Sequence, residues 1–191
     1  TSSGSSVSLN SVDVASHYGQ RGTDNAWPSV LGAGNSGSIT DNKVSANYLI
    51  VFDGSGSMAN NGCTNRDSRM IAAKEAVLDF MGAVPTGSNV GLYAFDERGM
   101  GPRLPIDQDS EQTISNAVKA LAPGGGTPLK DAINYGATML TQQAQAQLGY
   151  GEYHLVVVTD GEPSTGQNPV SALQGITSGT AINVHTIGFC L

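Results

Sequence analysis

"YLIVFDGSGSMANNGC", residues 48–63, changes character at its sixth residue. The greasy run from Tyr48 to Phe52 gives way to Asp53, Gly54, Ser55, Gly56 and Ser57. A short, continuous, β-branched run is what a strand buried on both faces looks like. The second half sets Asp53, Ser55 and Ser57 two apart, with glycines between them. It is either a flexible turn or a set of oxygen ligands aimed at one point, and the rest of the chain must decide between them.

"HLVVVT" (154–159) is a second continuous buried run, and "NVGLYAF" (89–95) and "AINVHTIGF" (181–189) read as two more strands. "RLPI" (103–106) is a weaker strand candidate, because Pro105 has no N–H to give to a ladder. Helical patterns lie between the strands. Met70, Ala73, Val77 and Met81 share one face of a helix from about Asp67 to Gly82. Ile114, Ala117, Val118 and Leu121 do the same, with Asp109 as a cap three residues before Gln112. Leu129, Ile133, Ala137, Leu140 and Ala144 mark a long helix after Pro128, and a short fourth runs from Pro169 to Ile176. This alternation predicts an α/β fold, a Rossmann-like doubly wound and mostly parallel sheet with helices on both faces. Such sheets bind ligands beyond the carboxyl ends of their strands, near the point where strand order reverses.

The chain has 191 residues, which favours one domain with an appendage. Residues 1–46 are Ser- and Gly-rich and read as an N-terminal arm docked on the domain at 47–191. Val7, Leu9, Val12 and Val14 suggest one irregular strand in that arm, and Trp27 its anchor. Nine basic residues against sixteen acidic give a net charge of −7. No Lys/Arg cluster is present, so nucleic acid is not an expected partner. The longest apolar runs are about five residues, against the ~20 needed to span a bilayer, so membrane insertion is not expected either. No secretory signal pattern opens the sequence. The expectation is a soluble protein, or a mature or excised piece of a larger one.

Three loops follow the buried strands or open the long helix: Asp53–Ser57, "PGGGTPL" with Thr127, and "VVVTDGEP" with Asp160. Each has an ordinary reading: a Gly/Ser turn, a Thr-Pro helix start, an Asp-Gly turn. All three fall at the same edge of the sheet, which weakens those readings. Together they offer two carboxylates and three hydroxyls, with no nitrogen or sulfur ligand. An all-oxygen set suits a hard cation such as Mg²⁺. Glycines give the backbone room to turn Ser55 and Ser57 toward the ion. Hydroxyls carry no formal charge, so a bound ion keeps positive charge to offer a partner's carboxylate.

Asp-x-Ser-x-Ser at 53–57, Thr127 in "GGTPL" and Asp160 in "TDG" resemble the metal-ion-dependent adhesion site of von Willebrand factor type A domains. The resemblance spans residues 47–189. It implies that Ser55, Ser57 and Thr127 ligate a metal directly or through water, with Asp53 and Asp160 anchoring it. The metal implied is Mg²⁺, with Mn²⁺ or Ca²⁺ as substitutes. The resemblance also implies a non-enzymatic module for adhesion or protein recognition, on a secreted or surface adhesin, pilus or filament. Its partner would be a protein offering a carboxylate, or a neighbouring subunit of a surface assembly. The location would then be extracellular or cell-surface, with the periplasm as an alternative. Two other readings stay open: an intracellular regulatory module partnering an ATPase, and a structural subunit whose metal is merely stabilising. The family fold carries a further helix and edge strand after 181–189. The chain stops at Leu191, so the expectation is a truncated domain or an edge covered by the N-terminal arm.

Other residues carry weaker signals. Asp131, one turn after Thr127, either holds the Thr127 loop or serves the helix start. Glu162 either shapes the rim of the site or is a solvated turn residue. Asp96, Glu97, Asp107 and Asp109 lack the spacing of a calcium loop. His154 and His185 fall in predicted strands and read as structural. No Ser/His/Asp set, Walker lysine or G-x-S-x-G elbow is present. Cys63 and Cys190 are either free thiols or a bridge. In the implied fold they fall at one sheet edge with a single strand between them, and a bridge is expected. It would close a loop of about 127 residues, worth roughly 4–5 kcal/mol, in an oxidising compartment.

Overall fold

A computed structural model of the chain describes residues 27–28, 44–62, 66–108 and 111–189. Cys63, Cys190, Asp109 and nearly all of the N-terminal arm lie outside the described residues. Among the described residues five strands form one sheet in the order β3-β2-β1-β4-β5. They are β1 (Ala46–Asp53), β2 (Asn89–Asp96), β3 (Gly99–Asp107), β4 (Glu152–Thr159) and β5 (Ile182–Gly188). β1 pairs in parallel with both β2 and β4, and β5 in parallel with β4, while β3 runs antiparallel to β2. Among the described residues four α-helices flank the sheet: α1 (Arg69–Met81), α2 (Glu111–Lys119), α3 (Leu129–Ala146) and α4 (Val170–Gly179). This is the doubly wound architecture expected from the alternation.

Strand alternation divides the core in two. Leu49 and Val51 of β1 join Leu155 and Val157 of β4 and the inward faces of α3 and α4. Ile50 and Phe52 join Val156, Val158 and the inward faces of α1 and α2. All these strand residues are buried, which is why β1 and β4 read as unbroken apolar runs. Trp27 packs edge-on against Tyr153, with ring centroids 5.2 Å apart, and its Nε1 donates to Thr141 Oγ1 at 3.2 Å.

Two elements differ from expectation. β3 is a full edge strand from Gly99 to Asp107 rather than a short one at 103–106. Pro105 falls where the register to β2 shifts between Val90 and Leu92, and an irregular edge position needs no donor. The Thr127-Pro128 pair does not form a capped helix start. Pro128 sits at the N-cap with no side-chain cap bond, and α3 begins at Leu129. The Thr127 hydroxyl is thereby left for other use.

Candidate metal centre

Asp53 ends β1 and Thr159 ends β4, on the two strands between which the chain's winding reverses. Thr159 Oγ1 donates to Asp53 Oδ2 at 2.6 Å, and the Ser55 backbone N–H donates to Asp53 Oδ1 at 2.9 Å. Both carboxylate oxygens are thus held, beneath a surface that leaves Asp53 no exposure. The hydroxyls of Ser55 and Ser57 lie 3.0 Å apart. Ser55 is buried and Ser57 partly exposed, so the pair runs from the floor of the site to its rim.

Hydrogen bonds tie the three loops into one body. Gly54 N–H donates to Phe95 O at 2.7 Å, and Gly124 N–H to Gly54 O at 2.8 Å. Gly56 N–H reaches Gly125 O at 3.1 Å. The Thr127 backbone N–H donates to Ser164 Oγ at 2.9 Å, and Ser164 N–H returns to Thr127 O at 3.0 Å. Gly54 is needed for close approach: a Cβ there would stand 2.8 Å from Asp96 Cβ and 2.9 Å from Phe95 O. Gly161 is needed for its φ of 99°, which turns the chain after Asp160.

Asp160 is buried, but its two oxygens differ. Oδ2 accepts from Arg69 Nη1 at 2.9 Å, whereas Oδ1 is buried without a hydrogen-bond partner. Burial pushes the Asp53 carboxyl above the usual carboxylate range, against the pull of bonds from Ser55 and Thr159, and the nearby Asp160 charge adds to the rise. Two carboxylates in one buried cluster, one with an unpaired anionic oxygen, form a site short of positive charge. The donor set is all oxygen, and among the described residues no group of three His, Cys, Asp or Glu side chains is gathered for a metal. These residues fit a hard divalent cation held by hydroxyls and carboxylates, and do not form a nitrogen or sulfur cage.

The structure brings Asp53, Ser55, Ser57, Thr127 and Asp160 to one edge on loops that are bonded together. Asp131 acts through an intermediary. Its backbone N–H donates to Gln167 Oε1 at 3.1 Å, and Gln167 Nε2 donates to Asp131 Oδ2 at 2.9 Å. This locks the first turn of α3 to the loop that carries Ser164. Glu162 is exposed and makes no hydrogen bond or ion pair among the described residues. Asp96 is turned away from the site: Arg98 and Arg103 take its oxygens at 2.8–3.1 Å. Sequence reasoning missed Thr159 and Arg69. Thr159 carried a signal, as a polar residue closing an apolar strand directly before Asp160. Arg69 carried none, since its role depends on how the loop after Ala59 folds back; its N–H donates to Asn60 O at 2.8 Å.

The fold and this loop set define a class, and the chain belongs to it: the von Willebrand factor type A domain family, whose model matches residues 48–162. The Bacillus subtilis (strain 168) protein YwmC, described as uncharacterized, is 28% identical over 163 residues, which are 78% of this chain and 69% of that protein. Proximal thread matrix protein 1 from the mussel byssus, in a structure with a zinc-occupied MIDAS motif, superposes with a TM-score of 0.59 at 19% identity. That match covers 76% of this chain and 38% of the mussel chain. The manganese-loaded TRAP protein of Plasmodium vivax superposes with a TM-score of 0.59 at 14% identity, over 77% of this chain and 58% of that one. This chain therefore spans less than two thirds of either solved chain.

Proposed function

We propose that this chain is a metal-dependent protein-binding module whose edge site holds Mg²⁺, or Mn²⁺ or Ca²⁺ in its place, and captures a carboxylate of a partner protein. The observation that carries this reading is the state of Asp160, with one oxygen clamped by Arg69 and the other buried and unpaired, at the sheet edge whose loops also carry Ser55, Ser57 and Thr127. Ser55, Ser57 and Thr127 would supply neutral oxygens, with Asp53 and Asp160 supplying charge. A bound cation would offer its remaining coordination position to an anionic oxygen. Two carboxylates balance a divalent ion, and Arg69 leaves the cluster with one positive charge in excess. That excess favours an acidic partner group. On this reading the module recognises a partner through its metal, as a binding rather than a catalytic unit.

The setting that suits such a module is a secreted or surface-displayed assembly. A Cys63–Cys190 bridge would support that location, and mass spectrometry with and without reductant measures it. Two free thiols in the native protein would count against it.

The function is tested by calorimetry with Mg²⁺ and Mn²⁺, followed by titration of the loaded protein with a glutamate-bearing peptide. Asp53→Ala should abolish metal binding while the metal-free fold persists, and EDTA should abolish peptide binding. At about 100 times Kd, metal should add about 2.7 kcal/mol of stability to the wild type and none to the variant. Metal binding that stabilises the fold without creating any affinity for carboxylate would favour the structural-subunit reading instead.

A further inference from the structure

Just beyond Ser57 the chain leaves regular structure. The short helical turn Gly56–Ala59 ends on Asn60, whose backbone is extended and whose carbonyl accepts from Arg69 N–H at 2.8 Å. Asn61 and Gly62 follow, both exposed and outside any helix or strand. They are the one Asn-Gly pair in the sequence. Among the described residues the Asn61 side chain makes no hydrogen bond. The other described asparagines are placed differently. Asn47, Asn89 and Asn183 lie in strands, and Asn116 and Asn134 in helices. Asn168 precedes Pro169, and Asn60 precedes a residue with a side chain of its own.

We propose that Asn61-Gly62 is a site of spontaneous modification, at which Asn61 loses its amide and gains a carboxylate beside Arg69. The lone pair of the Gly62 backbone nitrogen attacks Asn61 Cγ. The N–H proton passes through solvent to the departing amide, which leaves as ammonia, and a cyclic imide remains. Water opens the imide at either carbonyl. Breaking the bond from Cγ to the Gly62 nitrogen gives aspartate; breaking the bond from the Asn61 main-chain carbonyl carbon to that nitrogen gives isoaspartate. The net change converts amide and water into carboxylate and ammonium, with no oxidant or reductant. Glycine suits the attack because no Cβ crowds its nitrogen. A residue outside a helix or strand can rotate into the attack geometry, which a paired backbone forbids.

The new charge falls next to the cation of the acidic site. A Cβ on Gly62 would stand 3.7 Å from Arg69 Nη2. Arg69 commits Nη1 to Asp160 Oδ2, while its Nε is buried without a hydrogen bond. A carboxylate at residue 61 therefore meets a guanidinium with donors to spare. It offsets the positive charge that Arg69 adds to the cluster. The consequence for binding rests on the metal reading above. After conversion, metal should bind about threefold tighter and an acidic partner about threefold more weakly. Because ammonia is lost to solvent, the change runs one way as the protein ages.

The test holds the metal-free wild-type chain in mildly alkaline buffer and samples it over days for peptide mapping by mass spectrometry. The peptide carrying Asn61 should gain the amide-to-acid mass difference before any other asparagine does. Gly62→Ala should slow that gain by about tenfold or more. Its added Cβ makes only an ordinary contact, so the fold is kept. An Asn61 that stays an amide while others convert, or a rate that Gly62→Ala leaves alone, overturns the proposal. In the metal-free protein the Arg69 Nε–H resonance should shift on conversion, and likewise in Asn61→Asp. A resonance that stays in place overturns the link to Arg69. Titration with Mn²⁺ then compares fresh and converted chains, and equal affinities overturn the effect on the site. If the fresh chain takes up no Mn²⁺, the edge-site reading fails, while mass and resonance still decide the modification and its contact with Arg69.

Discussion

Strand β1 has a buried polar residue at each end, and the two ends are finished differently. Near its start, Asn47 has no exposure and a full set of partners. Its Nδ2 lies 2.7–3.0 Å from Ser45 O, Gln147 Oε1 and Glu152 O. Its Oδ1 accepts from Asn89 Nδ2 at 2.8 Å and Gln143 Nε2 at 3.1 Å. The one loose end in that group is the Ser45 hydroxyl. At the other end, Asp53 is equally buried but is joined by Asp160, whose Oδ1 has no hydrogen-bond partner among the described residues. A satisfied neutral network stitches β1, β2, β4 and α3 together. An acidic cluster left short of positive charge is incomplete by itself. The first arrangement is structure, and the second is the one that the proposed metal reading accounts for.

The comparison breaks most severely at Asn47. Asn47→Ala removes the hub and takes a hydrogen-bond partner from buried Asn89 and Gln147 and from the part-buried Gln143 side chain and Glu152 carbonyl. We expect a loss of about 3–5 kcal/mol in urea unfolding. Metal affinity should be unchanged in whatever fraction remains folded. A loss below about 1 kcal/mol would mean that water replaces the side chain and that the two ends are less different than they look.

Asp96 sharpens the comparison within the carboxyl edge itself, because it is a buried acid that already has its cations. Burial works against its charge, but bonds from Arg98 and Arg103 outweigh it and hold the carboxyl below the usual range. Arg98 is 47% exposed and Arg103 15%, so most of the weight falls on Arg103. Asp96→Asn should cost about 2–3 kcal/mol at neutral pH. A depressed folded-state pKa gives stability that is complete above the unfolded value, near 3.9, and is lost as pH falls through the folded value. The gap between wild type and variant should therefore be flat from pH 6 to 8 and close below about pH 4. A gap that does not narrow as the solution is acidified would assign the loss to packing instead of charge.

What the sequence made legible follows from which features are local. β1 and β4 were readable because burial on both faces demands an unbroken apolar run. The edge residues were readable because Asp53, Ser55 and Ser57 share one loop, while Thr127 and Asp160 stand in loops that the alternation of strand and helix sends to the same side. β3 was under-read, since its glycines and prolines are tolerated only at an irregular edge. Asn47 gave no signal: an Asn at a strand start is ordinary, and its partners Asn89, Gln143 and Gln147 are 42 to 100 residues away. Gly54 was read for backbone freedom, whereas the structure shows that the space beside Asp96 is what excludes a side chain.

Arg69 offers the smallest effect and the sharpest test of why one end is left open. Its guanidinium is mostly covered and holds Asp160 Oδ2. If the cluster is built to present positive charge once an ion is bound, Arg69 must weaken the metal and strengthen the acidic ligand. Arg69→Gln removes the charge and, because its amide ends about 2 Å short of the guanidinium nitrogen, also gives up the direct bond to Asp160. We expect Mn²⁺ to bind about fivefold tighter, a change of about 1 kcal/mol, as the carboxylates lose their competitor. The glutamate-bearing peptide should bind the loaded variant more weakly by a similar factor. Opposite signs in the two titrations are what a charge effect requires. A loss in both would make Arg69 a clamp that positions Asp160, and the surplus charge at the rim would then have no part in choosing the partner.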